Sequence, residues 1–279
     1  MGYQVRTIEH VMEKAPATIP LVVVNHSGTT ETDPEKEARS VNERIGLHTG
    51  RLFLDVLNRE RAWTLVLAER KLAQHIGESA VTDSLRRIHV TDVTCLSDSK
   101  VEYITPSRNG AWAELPTETV EVMGKMCDVA IRFGFGLVTG AILDAPKYGV
   151  ISYHPADIRQ YRGLGTPQAW LDGCDVMGVT LQRLSTDIDG GEIVAYKEVD
   201  VSSSATLWDV YATLYALYPE LLVEGLRTLR DPSADISVPD SLGPYYSIKS
   251  RRRLGFATRT LLKNTTGRLK KTANVDYFA

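Results

Sequence analysis

Residues 128–173 read DVAIRFGFGLVTGAILDAPKYGVISYHPADIRQYRGLGTPQAWLDG. The apolar run Val129–Phe133 predicts a short strand leading into a Gly-Phe-Gly turn at 134–136. Ala141–Leu143 predicts a short helix, Val150–Tyr153 a second strand ending on His154, and residues 166–173 a further helix. The alternation continues outward. Residues 4–15 predict a helix and Pro20–Asn25 (PLVVVN) a buried strand, followed by a polar loop, HSGTTETDPEKEARS. Helical periodicity dominates from Val41 to Ile76. Ile88–Val93 predicts a short strand, residues 94–115 a loop with another, and Pro116 opens a helix through Met126. Downstream, Gly178–Leu184 and Ile193–Val199 predict strands, and Thr206–Leu229 one long amphipathic helix. Strands alternating with helices predict an α/β protein with a mostly parallel sheet and flanking helices. Ligands in such sheets bind at the carboxyl ends of strands, where His154 lies.

The 279 residues carry a net charge of -3, with 43% hydrophobic and 24% charged residues, the balance of a chain that buries a full core. No apolar run approaches the roughly 20 residues of a membrane-spanning helix. The first residues, MGYQVRTIEHVMEK, lack the apolar centre of a secretory signal. Cys95, Cys127 and Cys174 are widely spaced, so neither a disulfide framework nor a metal-ligand spacing is present. Reduced cysteines and a cytoplasmic setting are expected.

Chemistry concentrates between residues 128 and 196. His154 follows an apolar strand. The loop after it holds Asp157, Arg159, Arg162 and Gly163, and the turn TDIDGGEI after GVTLQRL holds Asp187 and Asp189. A His and an Asp on neighbouring strand ends can pair, the carboxylate orienting the imidazole for proton transfer. A histidine at a strand end can equally be a core residue satisfied by its neighbours.

The stretch quoted above, together with GVTLQRLSTDIDGGEIVAYKEV at 178–199, resembles the folate-dependent formyltransferases. That group includes methionyl-tRNA, glycinamide ribonucleotide and sugar N-formyltransferases. The motifs PKYG, the His-bearing strand end, YRG, GVT and D-x-D-G-G occur in the family's order, and the resemblance covers residues 116–200. It implies a Rossmann-like domain that moves a formyl group from 10-formyltetrahydrofolate to an amine acceptor, possibly an amino sugar. By position it implies that His154 and Asp189 are catalytic. Phe133, Gly134, Phe135, Gly136, Leu137 and Val138 would wall the folate pocket, with Asp187 in the Ser185–Asp189 loop. Asp157, Arg162 and Gly163 would face the acceptor.

The departures raise specific expectations. The family's asparagine two residues before the histidine is Ser152 here, assigned to the catalytic set as a shorter donor. If that asparagine helps hold an oxyanion, its loss costs about 2.7–4 kcal/mol unless another group compensates. Asp157 and Arg159 could bind a polar acceptor or simply pair with each other. Arg132 stands in a strand that is apolar in the family, so it should reach a carboxylate or phosphate. Residues 1–19 resemble the helix that follows the family's first strand, implying a chain start downstream of the family's or a sheet without that strand. A non-catalytic ligand-binding relative and a formyltetrahydrofolate hydrolase are the alternative readings, with a methionyl-tRNA formyltransferase-like role as a third.

Residues 249–279 carry nine Lys or Arg and one acid, a net of +8, whereas residues 1–248 carry 23 basic and 34 acidic groups, a net of -11. The expected division is a formyltransferase-like domain over 1–204, then a long helix and basic extension over 205–279. The extension could meet an anionic membrane surface or RNA, or it could cover its own acidic body.

Overall fold

The computed structural model describes residues 2–26, 57, 58, 60–75 and 88–276. Helix α1 (Tyr3–Lys14) leads to β1 (Leu21–Asn25), and α2 (Trp63–His75) falls in the region where helical periodicity is expected; apart from residues 57, 58 and 60–62, the rest of that region lies outside the described residues. Strands β2 (Lys100–Ile104), β3 (Ser107–Asn109) and β4 (Trp112–Glu114) precede α3 (Thr117–Met126). Next come β5 (Ala130–Arg132), β6 (Leu137–Thr139), β7 (Val150–His154), β8 (Arg162–Gly163) and α4 (Thr166–Asp172). The chain continues through β9 (Val176–Arg183), β10 (Glu192–Asp200), α5 (Leu207–Ala216), α6 (Tyr218–Arg230), β11 (Tyr245–Tyr246) and α7 (Leu254–Asp276).

The fold is α/β with flanking helices. The central sheet has the order β10-β9-β7-β5. Strands β5 and β7 are parallel, whereas β9 runs antiparallel to both β7 and β10. A parallel pair, β1 with β2, stands apart from it, and a third sheet joins β3, β4 and β6. Between β1 and β5 lies a cavity of about 680 Å³, lined by Leu21–Val23 on one strand and Ala130–Arg132 on the other. Among the described residues no strand bridges these two edges.

Every residue of β7 is buried, the polar Ser152 and His154 included. Its alternate side chains take opposite duties. Tyr153 turns into the aromatic layer beneath the sheet, stacking on Tyr218 at 3.9 Å between ring centroids and donating its hydroxyl to the Tyr218 carbonyl at 2.6 Å. Tyr3 of α1 stacks on Tyr215 in the same layer. Ser152 and His154 share the opposite face and belong to the site.

Two sequence expectations are corrected. Ile88–Val93 is not a strand: residues 90–92 form a 3-10 turn, with Asp92 N–H bonding the His89 carbonyl at 3.0 Å and the Thr91 hydroxyl engaging His89. Short polar side chains here compete locally with ladder bonding. The single helix expected over Thr206–Leu229 is two. Its start holds, with Thr206 and Asp209 forming a reciprocal cap. Pro219, in the first turn of α6, then supplies no N–H to continue the ladder, and the chain breaks at Leu217.

One buried cluster contains Val11, Ile151, Leu207, Leu214, Leu221 and Ala257, so the division expected at residue 204 runs through a shared core. Helix α7 docks by Ala257, Thr260 and Asn264, all fully buried. Asn264 accepts the Leu207 N–H at 2.9 Å and donates to Glu69 at 3.3 Å. Arg251 pairs with Glu60 at 2.7 Å, Arg268 pairs with Glu69, and Lys263 donates to the Trp170 carbonyl. The basic extension thus turns part of its charge onto the acidic body. Among the described residues no helix is long and apolar enough to cross a membrane. Asn264→Leu should leave the Leu207 N–H buried and unpaired, lowering stability by about 1–3 kcal/mol in urea unfolding. An unchanged midpoint would show that this bond contributes nothing to stability.

Candidate active site

His154 ends β7 with only 5% of its surface exposed. The segment after it is pinned to β9 through Thr180, whose hydroxyl donates to the Ala156 carbonyl at 2.8 Å and accepts from Ile158 N–H at 3.3 Å. This turns residues 155–165 back over the histidine, and Nε2 meets the Tyr161 carbonyl at 2.8 Å. Gly165 makes this closeness possible. A Cβ there would lie 3.0 Å from Nε2, and its φ of +45° is left-handed.

Asp189 comes from the turn after β9. It adopts φ +48°, a conformation costing about 1–2 kcal/mol for a residue with a Cβ. Three contacts hold it. Its carboxylate accepts the Gly163 N–H at 2.8 Å and the Gln182 side-chain amide at 3.3 Å, and approaches His154 Nδ1 to 3.4 Å. The predicted pair is therefore assembled, with a carboxylate beside one ring nitrogen and a carbonyl beside the other. A doubly protonated ring donates to both.

Ser152 is buried and accepts two bonds from Arg132, from Nε at 3.0 Å and Nη2 at 2.9 Å. The third Arg132 contact is Nη1 on the Gly136 carbonyl. The carboxylate or phosphate partner expected for Arg132 is not found: among the described residues its bonds go to neutral oxygens. Burial lowers its pKa from the ordinary arginine value, and the charges of Asp189 and then of Tyr3 oppose that shift.

The remaining predicted residues divide by position. Phe133, Phe135, Val138 and Arg132 line the cavity beside β5, but His154 and Asp189 do not. Gly134 and Gly136 form the left-handed turn between them, and Leu137 lies in β6. Asp187 stands on the exposed turn, its N–H on the Ser185 hydroxyl at 3.2 Å. Asp157 is buried and paired with Arg159 at 2.8 Å, the second of the two expectations for these residues. Arg162 bonds the carbonyls of Gly243 and Ile188, and Gly163 serves Asp189, so their polar groups are taken up inside the protein.

Gln182 is a site residue the sequence reading missed. It is 1% exposed, lies opposite Ser152 in the β7–β9 register, and bridges the Asp189 carboxylate and the Gly191 N–H. Its signal was available: Thr180 and Gln182 place polar groups at alternate positions of an otherwise apolar strand, both on the face that carries the pair.

Residues 101–226 match the family model described as formyl transferase. A methionyl-tRNA formyltransferase of Agathobacter rectalis is 28% identical over 144 residues, covering 50% of this chain and 46% of the relative. One from Rickettsia canadensis is 34% identical over 99 residues, 35% of this chain and 32% of the relative. The chain thus spans less than half the length of these two relatives. A solved formyltransferase from Anoxybacillus kamchatkensis, in complex with UDP-4,6-dideoxy-4-formamido-L-AltNAc and tetrahydrofolate, aligns with a TM-score of 0.45 at 17% identity, covering 64% of this chain and 93% of that one.

Gly165→Ala should push the His154 ring off the Tyr161 carbonyl. The expected result is a loss of about 1–3 kcal/mol in stability and a shift of the His154 ring signals by NMR. Unmoved ring signals would contradict the packing described.

Proposed function

We propose that the chain transfers a formyl group from 10-formyltetrahydrofolate to an amine, with His154 and Asp189 handling the proton. The observation that carries this is their convergence, from separate segments of the matched region, to 3.4 Å. The residues present fit a folate donor. The cavity beside β5 is within the usual size range of small-molecule sites, apolar along Phe133, Phe135 and Val138, with the Arg132 guanidinium on its wall. A flat heteroaromatic ring finds both apolar contact and hydrogen-bond donors there. When bound, the donor supplies an electrophilic formyl carbon.

The chain's own residues do the rest. Asp189 is held by Gly163 and Gln182, so its charge is already oriented at Nδ1 before any proton moves. It stabilises the imidazolium when His154 carries a second proton, as a carboxylate does beside any histidine acting as general base. The Tyr161 carbonyl fixes the ring plane from the other nitrogen.

For the acceptor we favour a small-molecule amine, such as an amino sugar, over tRNA. The support is the docking of α7: Arg251, Lys263 and Arg268 are engaged with the protein itself, which reduces the cationic surface offered to RNA.

The test is tetrahydrofolate release from 10-formyltetrahydrofolate with and without amines, using amino-sugar nucleotides and methionyl-tRNA as separate arms. Release that depends on an amino sugar is expected. His154→Ala and Asp189→Asn should each lower it at least 100-fold, the lower end for general acid–base groups, with melting temperature little changed. Release without any amine would make the protein a hydrolase. No release in any arm would make it a binding protein.

A further inference from the structure

We propose that Arg132 is a catalytic residue of this transfer, its guanidinium taking up the negative charge that develops on the formyl oxygen. The inference rests on the formyl-transfer reading above and adds to it the group that meets the charge.

The backbone supplies the placement. Arg132 and Ser152 are direct partners in the parallel β5–β7 register, and Ser152 shares its face of β7 with His154. Two guanidinium nitrogens close on the single Ser152 hydroxyl oxygen, so the serine is a seat for the arginine. The serine proton is turned toward the Arg132 carbonyl at 3.4 Å, which leaves Ser152 poorly placed to donate elsewhere. The shorter side chain at 152 is thus matched by a longer, charged donor on the neighbouring strand.

Charge supplies the motive. Arg132 is half-buried, and a cation withdrawn from water is costly unless an anion bonds it. Among the described residues every hydrogen bond of the Arg132 guanidinium ends on a neutral oxygen, of Ser152 or of Gly136. Three of its five N–H groups are committed in this way, leaving two for a ligand. Arg132 also lines the cavity that His154 and Asp189 do not reach, and so connects the pair's sheet face to the donor's proposed seat.

The histidine cannot do this work in the conformation observed. Its Nε2 faces the Tyr161 carbonyl and its Nδ1 faces Asp189. A separate donor must therefore face the oxygen. In the step proposed, the amine lone pair forms a bond to the formyl carbon and the carbonyl π pair moves onto oxygen, where the spare Arg132 N–H groups hold it. That pair then reforms the C=O bond as the carbon–nitrogen bond to the donor breaks. The departing nitrogen keeps the bonding pair and gains one proton. The new amide nitrogen loses one, through the His154–Asp189 pair.

The test compares wild type with Arg132→Met, Arg132→Gln and Arg132→Lys. It measures kcat and KM for the donor, tetrahydrofolate affinity by fluorescence, and melting temperature. Arg132→Met should lower kcat about 100- to 1,000-fold, the scale of one oxyanion donor, while KM and tetrahydrofolate affinity change about twofold or less. Arg132→Lys should recover part of kcat, and added guanidinium ion should rescue Arg132→Met. Should Arg132→Met not fold, Arg132→Gln, which keeps an amide donor on Ser152, carries the same comparison. A raised KM with unchanged kcat, or no change in either, in the presence of an active wild type overturns the inference alone. A wild type that transfers no formyl group to any amine overturns the transfer reading and this inference with it.

Discussion

The geometry of the site depends on one carboxylate. Asp189 joins three separate segments: the backbone of the loop after β7 at Gly163, the side chain of Gln182 in β9, and the ring of His154. It does so from a left-handed backbone conformation that its own Cβ disfavours. Strain of this kind persists only where the surroundings over-determine it, and here two donors and a histidine do so. The loop it anchors is held at its other end by Thr180 and by the Asp157–Arg159 pair. The histidine is therefore boxed in, and its orientation belongs to the folded protein before any ligand arrives.

Arg132 extends that logic in the other direction. Where His154 faces the Tyr161 carbonyl and Asp189, the half-buried guanidinium sits among neutral acceptors and keeps N–H groups in reserve. In the proposed transfer, proton handling and charge uptake fall to separate groups. The cavity lies on the arginine's side of this division, between two sheet edges that no described strand joins.

Much of this was legible in the sequence. The β7 strand and its terminal His154 could be read because Val150, Ile151 and Tyr153 make a short, mostly apolar run that ends on a titratable residue. Asp189 could be read because a resemblance in spacing placed it. The fate of Arg132 could not, since periodicity says that a residue is in a strand but not what its neighbour across the ladder offers. Gln182 was not legible from its chemistry, because a neutral amide carries no titratable group to mark it as part of a site. The break at Leu217 was missed because the amphipathic pattern runs through Pro219 without interruption, although the missing N–H ends the helix all the same. The partners of the basic extension depend on tertiary packing: Glu60 and Glu69 lie 191 and 199 residues away from the cations they meet.

The central claim is that this site moves a formyl group onto an amine. The most direct measurement is carbon NMR of a single turnover, with the formyl carbon of the donor labelled and an amino-sugar nucleotide present. The account predicts that the label leaves the donor and appears as a new formamide on the acceptor, and that Asp189→Asn leaves it on the donor. Label appearing as free formate, or remaining on the donor with the wild-type protein, would contradict it.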